Sequence, residues 1–167
     1  MTVFHDKIAL HSHDHLPCFH DVTVGVKKAI EKSGVKNGIC LVYSHHTTCC
    51  VITQESSHDT NFYGREYMQQ DLINIMEKLI PSCTSEGQYM HPGPLHIEFS
   101  TGPEVNDKAV YCLNTDAHLR SVIYGRSETL PIVDGKINLG DWGHIYFIDW
   151  DQVRERDRVC DVTIVGE

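Results

Sequence analysis

Two apolar runs lying close together constrain this chain more than any other feature. Gly38 to Tyr43 (GICLVY) is rich in Ile, Leu and Val and reads as a strand of the fully buried kind. Thr47 to Thr53 (TTCCVIT) is a second, β-branched run and reads as another strand. Ser44, His45 and His46 stand where the two meet. A chain that sets polar imidazoles between two apolar strands places them at a sheet end or in a cleft. The fold must therefore bury both runs and leave their junction open.

The remaining pattern is mostly β. Residues 2–11 alternate moderately and read as a strand. Residues 158–165 alternate Val159, Asp161, Thr163 and Val165 against Cys160, Val162 and Ile164 and read as the last strand. Residues 127–133 are predicted to pair with 136–139 across Asp134-Gly135, a favoured type I′ turn. Residues 143–150 and 108–113 are predicted strands, and the loop-rich stretch 82–106 holds a short strand at 96–99. Helices are predicted from an Asp21 cap to Lys32, stopped at Gly34, and over 65–80 with Met68, Leu72, Ile75, Met76 and Leu79 as its stripe. A third starts at an Asn114 or Asp116 cap and runs through Tyr124. The expected fold is α+β, one domain over 1–167, built on a β-sandwich or a strongly curved antiparallel sheet with flanking helices.

Composition excludes several function classes. Acids outnumber bases 23 to 14, giving a formal net charge of −9. A duplex-binding surface needs a Lys/Arg excess, so nucleic acid and anionic membranes are not expected partners. Seven cysteines show no C-x-x-C spacing, which points to reduced thiols and a cytoplasmic protein. The N-terminal stretch has no signal-peptide pattern, and no apolar run is long enough for a membrane helix. Glycine-rich nucleotide loops and the nucleophile elbow are missing as well. Twelve histidines, by contrast, are an excess that calls for a use.

Four clusters offer chemistry. In His46-Thr47-Thr48 the imidazole can bind a divalent metal or accept a proton, and the hydroxyls can hold phosphate oxygens. Glu55 and Asp59, just past the strand, can orient an imidazole or complete a metal shell. In Asn114-Thr-Asp116-Ala-His118-Leu-Arg120, His118 sits on a helix's first turn and Arg120 adds a fixed charge for a phosphate or carboxylate. His91 follows Tyr89, and His96 is close behind. His11, His13 and His15 would share one face of an extended strand, able to take Zn²⁺ or Ni²⁺, although such a run reads first as an exposed edge with adventitious metal affinity. Cys49 and Cys50 read as inert packing thiols.

Taken together, His46-Thr-Thr…Glu55, Asn114-Thr-Asp-Ala-His118-Leu-Arg120-Ser…Gly125, Leu130-Pro131…Asp134-Gly135…Leu139-Gly140-Asp-Trp142 and the terminal Gly166-Glu167 resemble the YjbQ-like family of uncharacterised proteins. That family is often labelled a secondary thiamine-phosphate synthase. The resemblance implies a compact β-sandwich assembled as a homotrimer. It also implies a pocket at a subunit boundary where His46, His91 and His118 converge as a facial metal site for a divalent ion such as Zn²⁺. In that reading His46, Glu55, His91 and His118 are catalytic, while Thr47, Thr48 and Arg120 grip a phosphorylated small molecule. The alternative is a non-catalytic metal- or metabolite-binding trimer. The chain departs from the family at Cys49, where a small residue is usual, at Asp141-Trp142-Gly143 in place of Thr-Trp-Gln, and in a longer His91–His118 segment in which His96 can take the role of His91.

Overall fold

The computed structural model describes residues 1–13 and 15–167. In chain order the elements are β1 (Thr2–Ser12), β2 (Cys18–Asp21), α1 (Thr23–Ser33), β3 (Gly38–Tyr43), β4 (Cys49–Glu55), α2 (Tyr67–Leu79), α3 (Pro94–Thr101), α4 (Thr115–Tyr124), β5 (Ser127–Ile132), β6 (Gly143–Asp149) and β7 (Arg156–Gly166). A short 3-10 turn, Ala109–Cys112, precedes α4. The strands form two antiparallel sheets, ordered β1-β7-β3-β5 and β2-β6-β4. The expected α+β class is what the chain adopts, and of the two arrangements left open by the sequence the strands take the one with two sheets.

The main core lies between the sheets. Alternate residues of β3 (Cys40, Val42), β4 (Cys49, Val51), β6 (Ile145, Phe147) and β7 (Cys160, Val162, Ile164) meet there, joined by Val22, Val26, Ala29 and Ile30 from α1 and the residue before it. The opposite faces of β4 and β6 bury Cys50, Tyr146 and Ile148 under Met76 of α2 and Ala117 of α4. The second sheet is thus covered on both faces, which explains why β6 reads as continuously apolar rather than alternating. Gly25 lets α1 lie against β1, because a β-carbon there would stand 2.6 Å from Ile8 Cδ1.

Three predicted elements differ, and one observed strand was not predicted. Residues 108–113 are not a strand: Tyr111 and Leu113 donate backbone N–H bonds to Lys108 and Val110, so the segment satisfies itself locally as a 3-10 turn. Residues 96–99 are helical, because Pro94 opens α3 at a position where its missing N–H costs nothing. The Asp134-Gly135 turn forms with positive φ at both residues, but it closes only the Val133–Lys136 bridge. β5 pairs instead along all of β3, and Ile137 turns into the core. β2 was not anticipated from its sequence, which is too short and polar to show a period. Asp21 does cap the following backbone, accepting from Thr23 N–H at 2.9 Å, and Gly34 ends α1 in the left-handed conformation.

Candidate functional site

The core rows of β6 and β7 do not stay apolar to their ends. Counting by twos, the β7 row Ile164, Val162, Cys160 ends on Arg158, and the β6 row Ile145, Phe147 ends on Asp149. The two meet as a buried, two-pronged ion pair, with Arg158 Nε 2.6 Å and Nη2 3.2 Å from the two carboxylate oxygens. Thr48 Oγ1 accepts from Arg158 Nη2 at 3.2 Å, and Asp151 stands 3.8 Å from the same nitrogen. Burial alone would lower the pKa of Arg158, but the Asp149 carboxylate outweighs it and holds the guanidinium charged. Burial pushes the Asp151 carboxyl upward. This polar plug is the floor of a cleft of about 320 Å³ at the open end of the sandwich.

The walls come from the strand junction and from the segment around α3 and α4. Arg156 and Arg158 line the cleft because residues two apart on a strand share a face, and Arg154, in the bend before β7, lines it as well. Arg154 is held by Asp107 at 2.5 Å and lies 4.6 Å over the Tyr111 ring. Arg156 has no carboxylate partner among the described residues. His118 Nδ1 bonds to the Thr47 carbonyl at 3.2 Å, which makes that nitrogen the protonated one and leaves Nε2 with a lone pair. His46 Nε2 accepts from Val159 N–H at 3.3 Å, so its Nδ1 carries the proton. His46 is held neutral, with its pKa lowered first by burial and then by the Arg158 charge and His45. His45 lies ring to ring with His46 at 4.1 Å and pairs with Asp161 at 2.9 Å.

The predicted site residues separate into two groups. His46, Thr47, Thr48, His96 and His118 line the cleft. His91 stands beside it, edge to face with the His96 ring at 4.5 Å and with the His118 ring at 5.8 Å, so both members of the His91–His96 alternative lie next to His118 or the cleft. Its Nε2 is buried without a hydrogen-bond partner, and its pKa is lowered by burial and then by His96 and His118. Thr48 does not offer a free hydroxyl, because it fastens Arg158.

Arg120 and Glu55 lie elsewhere. Positions 118 and 120 differ by about 200° around a helix, so both cannot face one cleft. Arg120 is instead fully buried under α2, where Nε and Nη2 donate to the Ile80 carbonyl at 3.1 and 2.7 Å and Nη2 meets Glu77 at 2.7 Å. It closes the C-terminal end of that helix, where a cation is favoured. Glu55 is six residues along β4 from Cys49, about 20 Å at strand rise. It sits opposite Gly143, at the far end of the sheet, and Asp59 lies beyond it. Nor do His46, His91 and His118 form a metal triad within one chain. Among the described residues, only His11, His13 and Glu155 bring ligand atoms within 4.8 Å of one another. Burial pushes the Cys50 thiol up to about 12 and Cys49 higher still, so neither is a nucleophile near neutral pH. The arginines were missed; their signal is the period-two R-x-R-x-R of 154–158.

Comparison with known proteins places this arrangement in a family. The family model for the UPF0047 protein YjbQ-like family matches residues 7–167. A UPF0047 protein of Methanocaldococcus jannaschii is 31% identical over 147 residues, covering 88% of this chain and 84% of the relative. The UPF0047 protein YugU of Bacillus subtilis is 24% identical, covering 87% and 88%. Among solved structures, a YbjQ-like protein of unknown function from Sulfolobus solfataricus superposes with a TM-score of 0.73 at 25% identity, covering 99% of this chain and 98% of that one. An uncharacterised protein of the same family from Clostridium acetobutylicum gives 0.70 at 26% identity, covering 96% and 99%. The chain therefore belongs to the YjbQ-like UPF0047 family.

Proposed function

We propose that the cleft binds a phosphorylated small molecule and transfers a proton to or from it. The observation that carries this reading is the row Arg154, Arg156, Arg158 lining one cleft with the imidazoles of His46 and His118. Arg158 and Arg154 are fixed by their carboxylates, which leaves Arg156 as the cation available to an incoming anion. A guanidinium is suited to the paired oxygens of a phosphate. His118 presents an accepting Nε2, while His46 presents a donating Nδ1–H. The pair therefore offers a base and a hydrogen-bond donor without any change of protonation. A thiamine-phosphate synthase-like transfer fits this layout: the departing pyrophosphate would receive hydrogen bonds from Arg156. A divalent metal is not used in this reading, because the ligand atoms of His46, His91 and His118 do not converge within the chain.

The test is calorimetric titration with inorganic pyrophosphate and then with a panel of phosphorylated metabolites. Wild type should bind, Arg156→Ala should bind weakly and with a smaller salt dependence, and His118→Ala should bind but not turn over. Pyrophosphate affinity that survives Arg156→Ala would refute the cleft as the anion site.

A second reading, a metal- or metabolite-binding trimer without turnover, draws on His91 Nε2, buried and unpartnered beside two imidazoles. Elemental analysis of untagged protein beside His91→Ala and His118→Ala decides it. The homotrimer itself is supported by the outer face of α4, where Leu119, Val122 and Ile123 are 42%, 75% and 55% exposed next to the cleft residue His118. Light scattering should give three chains, and Val122→Asp should release monomers. Location in the cytoplasm is supported by cysteines that are all free, six of them buried.

A further inference from the structure

We propose that His11, His13 and Glu155 form a site for a divalent transition metal ion of the zinc, cobalt or nickel kind. The site lies outside the cleft and does not depend on its chemistry. His11 is the last but one residue of β1, whose pairing ends at Ser12, and His13 follows just past the strand; their rings lie edge to face with centres 5.2 Å apart. Opposite them runs the start of β7, where Asp157 is the register partner of His11 and Glu155 lies just before. The alternation that turns Arg154, Arg156 and Arg158 into the cleft turns Glu155 and Asp157 the other way, toward the histidines. One ligand atom from each of His11, His13 and Glu155 lies within 4.8 Å of the others, and His11 Nε2 is 2.6 Å from Glu155 Oε1. Ligand atoms about 2.1 Å from a tetrahedral ion stand about 3.4 Å apart, so small side-chain rotations complete the set.

A further contact marks this as more than a surface ion pair. His11 Nδ1 bonds to Asp157 Oδ1 at 2.9 Å, which orients the ring and leaves Nε2 as the coordinating nitrogen. A carboxylate behind a ligating imidazole is the usual outer support of a metal-bound histidine. Two imidazoles and one carboxylate select a borderline transition ion; Mg²⁺ and Ca²⁺ prefer oxygen throughout. The ligands are exposed, with side-chain accessibilities of 46% for His11 and 60% for Glu155, so water or a substrate atom can fill the remaining positions. His15 is not among the residues whose ligand atoms converge there, contrary to the three-imidazole expectation: its backbone takes φ 71° and its N–H bonds to the Gln152 carbonyl. Asp14 lies outside the described residues. Glu155 supplies the third ligand in place of His15.

The experiment is a Co²⁺ titration of the untagged full chain, followed by visible absorption and then by displacement with Zn²⁺. One Co²⁺ per chain is expected, displaced by Zn²⁺ and not by Mg²⁺. Asp157→Asn should weaken binding by roughly 10- to 100-fold, as loss of an outer-sphere partner does, and His11→Ala or Glu155→Gln by more. The double variant His11→Ala/His13→Ala should abolish it, and His118→Ala should bind like wild type. These side chains are exposed, and an unchanged circular dichroism spectrum checks that each variant is folded. Failure of wild type to take up Co²⁺, uptake that survives the double variant, or uptake lost in His118→Ala would each overturn the proposal. Pyrophosphate binding in the double variant is expected to persist, which separates this test from that of the cleft.

Discussion

The start of β7 serves two histidine regions, one on each face, and they differ in nearly every physical respect. On one face Arg158, with an exposed fraction of 3%, is locked to Asp149, and His46 is held neutral above it. On the other, Glu155 and Asp157 stand in solvent and draw His11 toward its charged form. Charged residues one position apart, Asp157 and Arg158, are thus a weakly coupled surface group outside and a stability element inside. Burial, not identity, sets which role a charged residue plays.

The largest expected difference is in unfolding. Arg158→Met leaves Asp149 and Asp151 buried without their cation and should cost about 3–5 kcal/mol in urea denaturation. A smaller cost would mean that water already reaches the floor of the cleft. Thr48→Val removes one charge-assisted hydrogen bond to the same guanidinium and should cost about 1–3 kcal/mol. It should also weaken pyrophosphate binding by letting Arg158 move.

Titration sharpens the contrast through opposite signs. An unfolded histidine titrates near 6.5. His46 has a folded value below this, so its stabilising share is complete above about pH 6.5 and is lost as pH falls through the folded value, because the unfolded chain takes the proton first. His11 has a folded value raised by Asp157 and then Glu155, so its share is complete below about pH 6.5 and is lost as pH rises through the folded value. Ring-proton resonances of metal-free protein should show His46 titrating below, and His11 above, the ordinary midpoint. Coincident midpoints would erase the distinction between the two faces. The smallest effect is Glu155→Gln, which should change stability by no more than about 0.5 kcal/mol, since exposed pairs are worth little.

Much of the fold was legible because period carries information over long elements. β1, β3, β6, β7, α1, α2 and α4 lie within a few residues of where alternation, apolar stripe and glycine stops put them. The stretch between Pro81 and Leu113 was misread because its Gly and Pro residues mark breaks without saying what lies between them. The hairpin after β5 was misassigned for a different reason. Its turn chemistry was read correctly, but the choice of partner strand depends on which edge is open, and β3 offered the longer one.

The site was legible in part. His46 and His118 follow from their places at a strand junction and a helix start, and both reach the cleft. Arg120 and Glu55 are close to them in sequence yet far from the cleft, because a helix turns by 100° per residue and a strand carries its end away at about 3.3 Å per residue. The amino-acid sequence by itself determined the α+β class, the net charge of −9 and the concentration of imidazoles at the strand junction. Only the tertiary structure decided that Arg154, Arg156 and Arg158 close the cleft, and that Glu155 replaces His15 beside His11 and His13. Glu155 meets His11 across 144 positions and Arg158 meets Thr48 across 110, through the antiparallel register of β1, β3 and β7. No local pattern encodes a register that only the packed core selects.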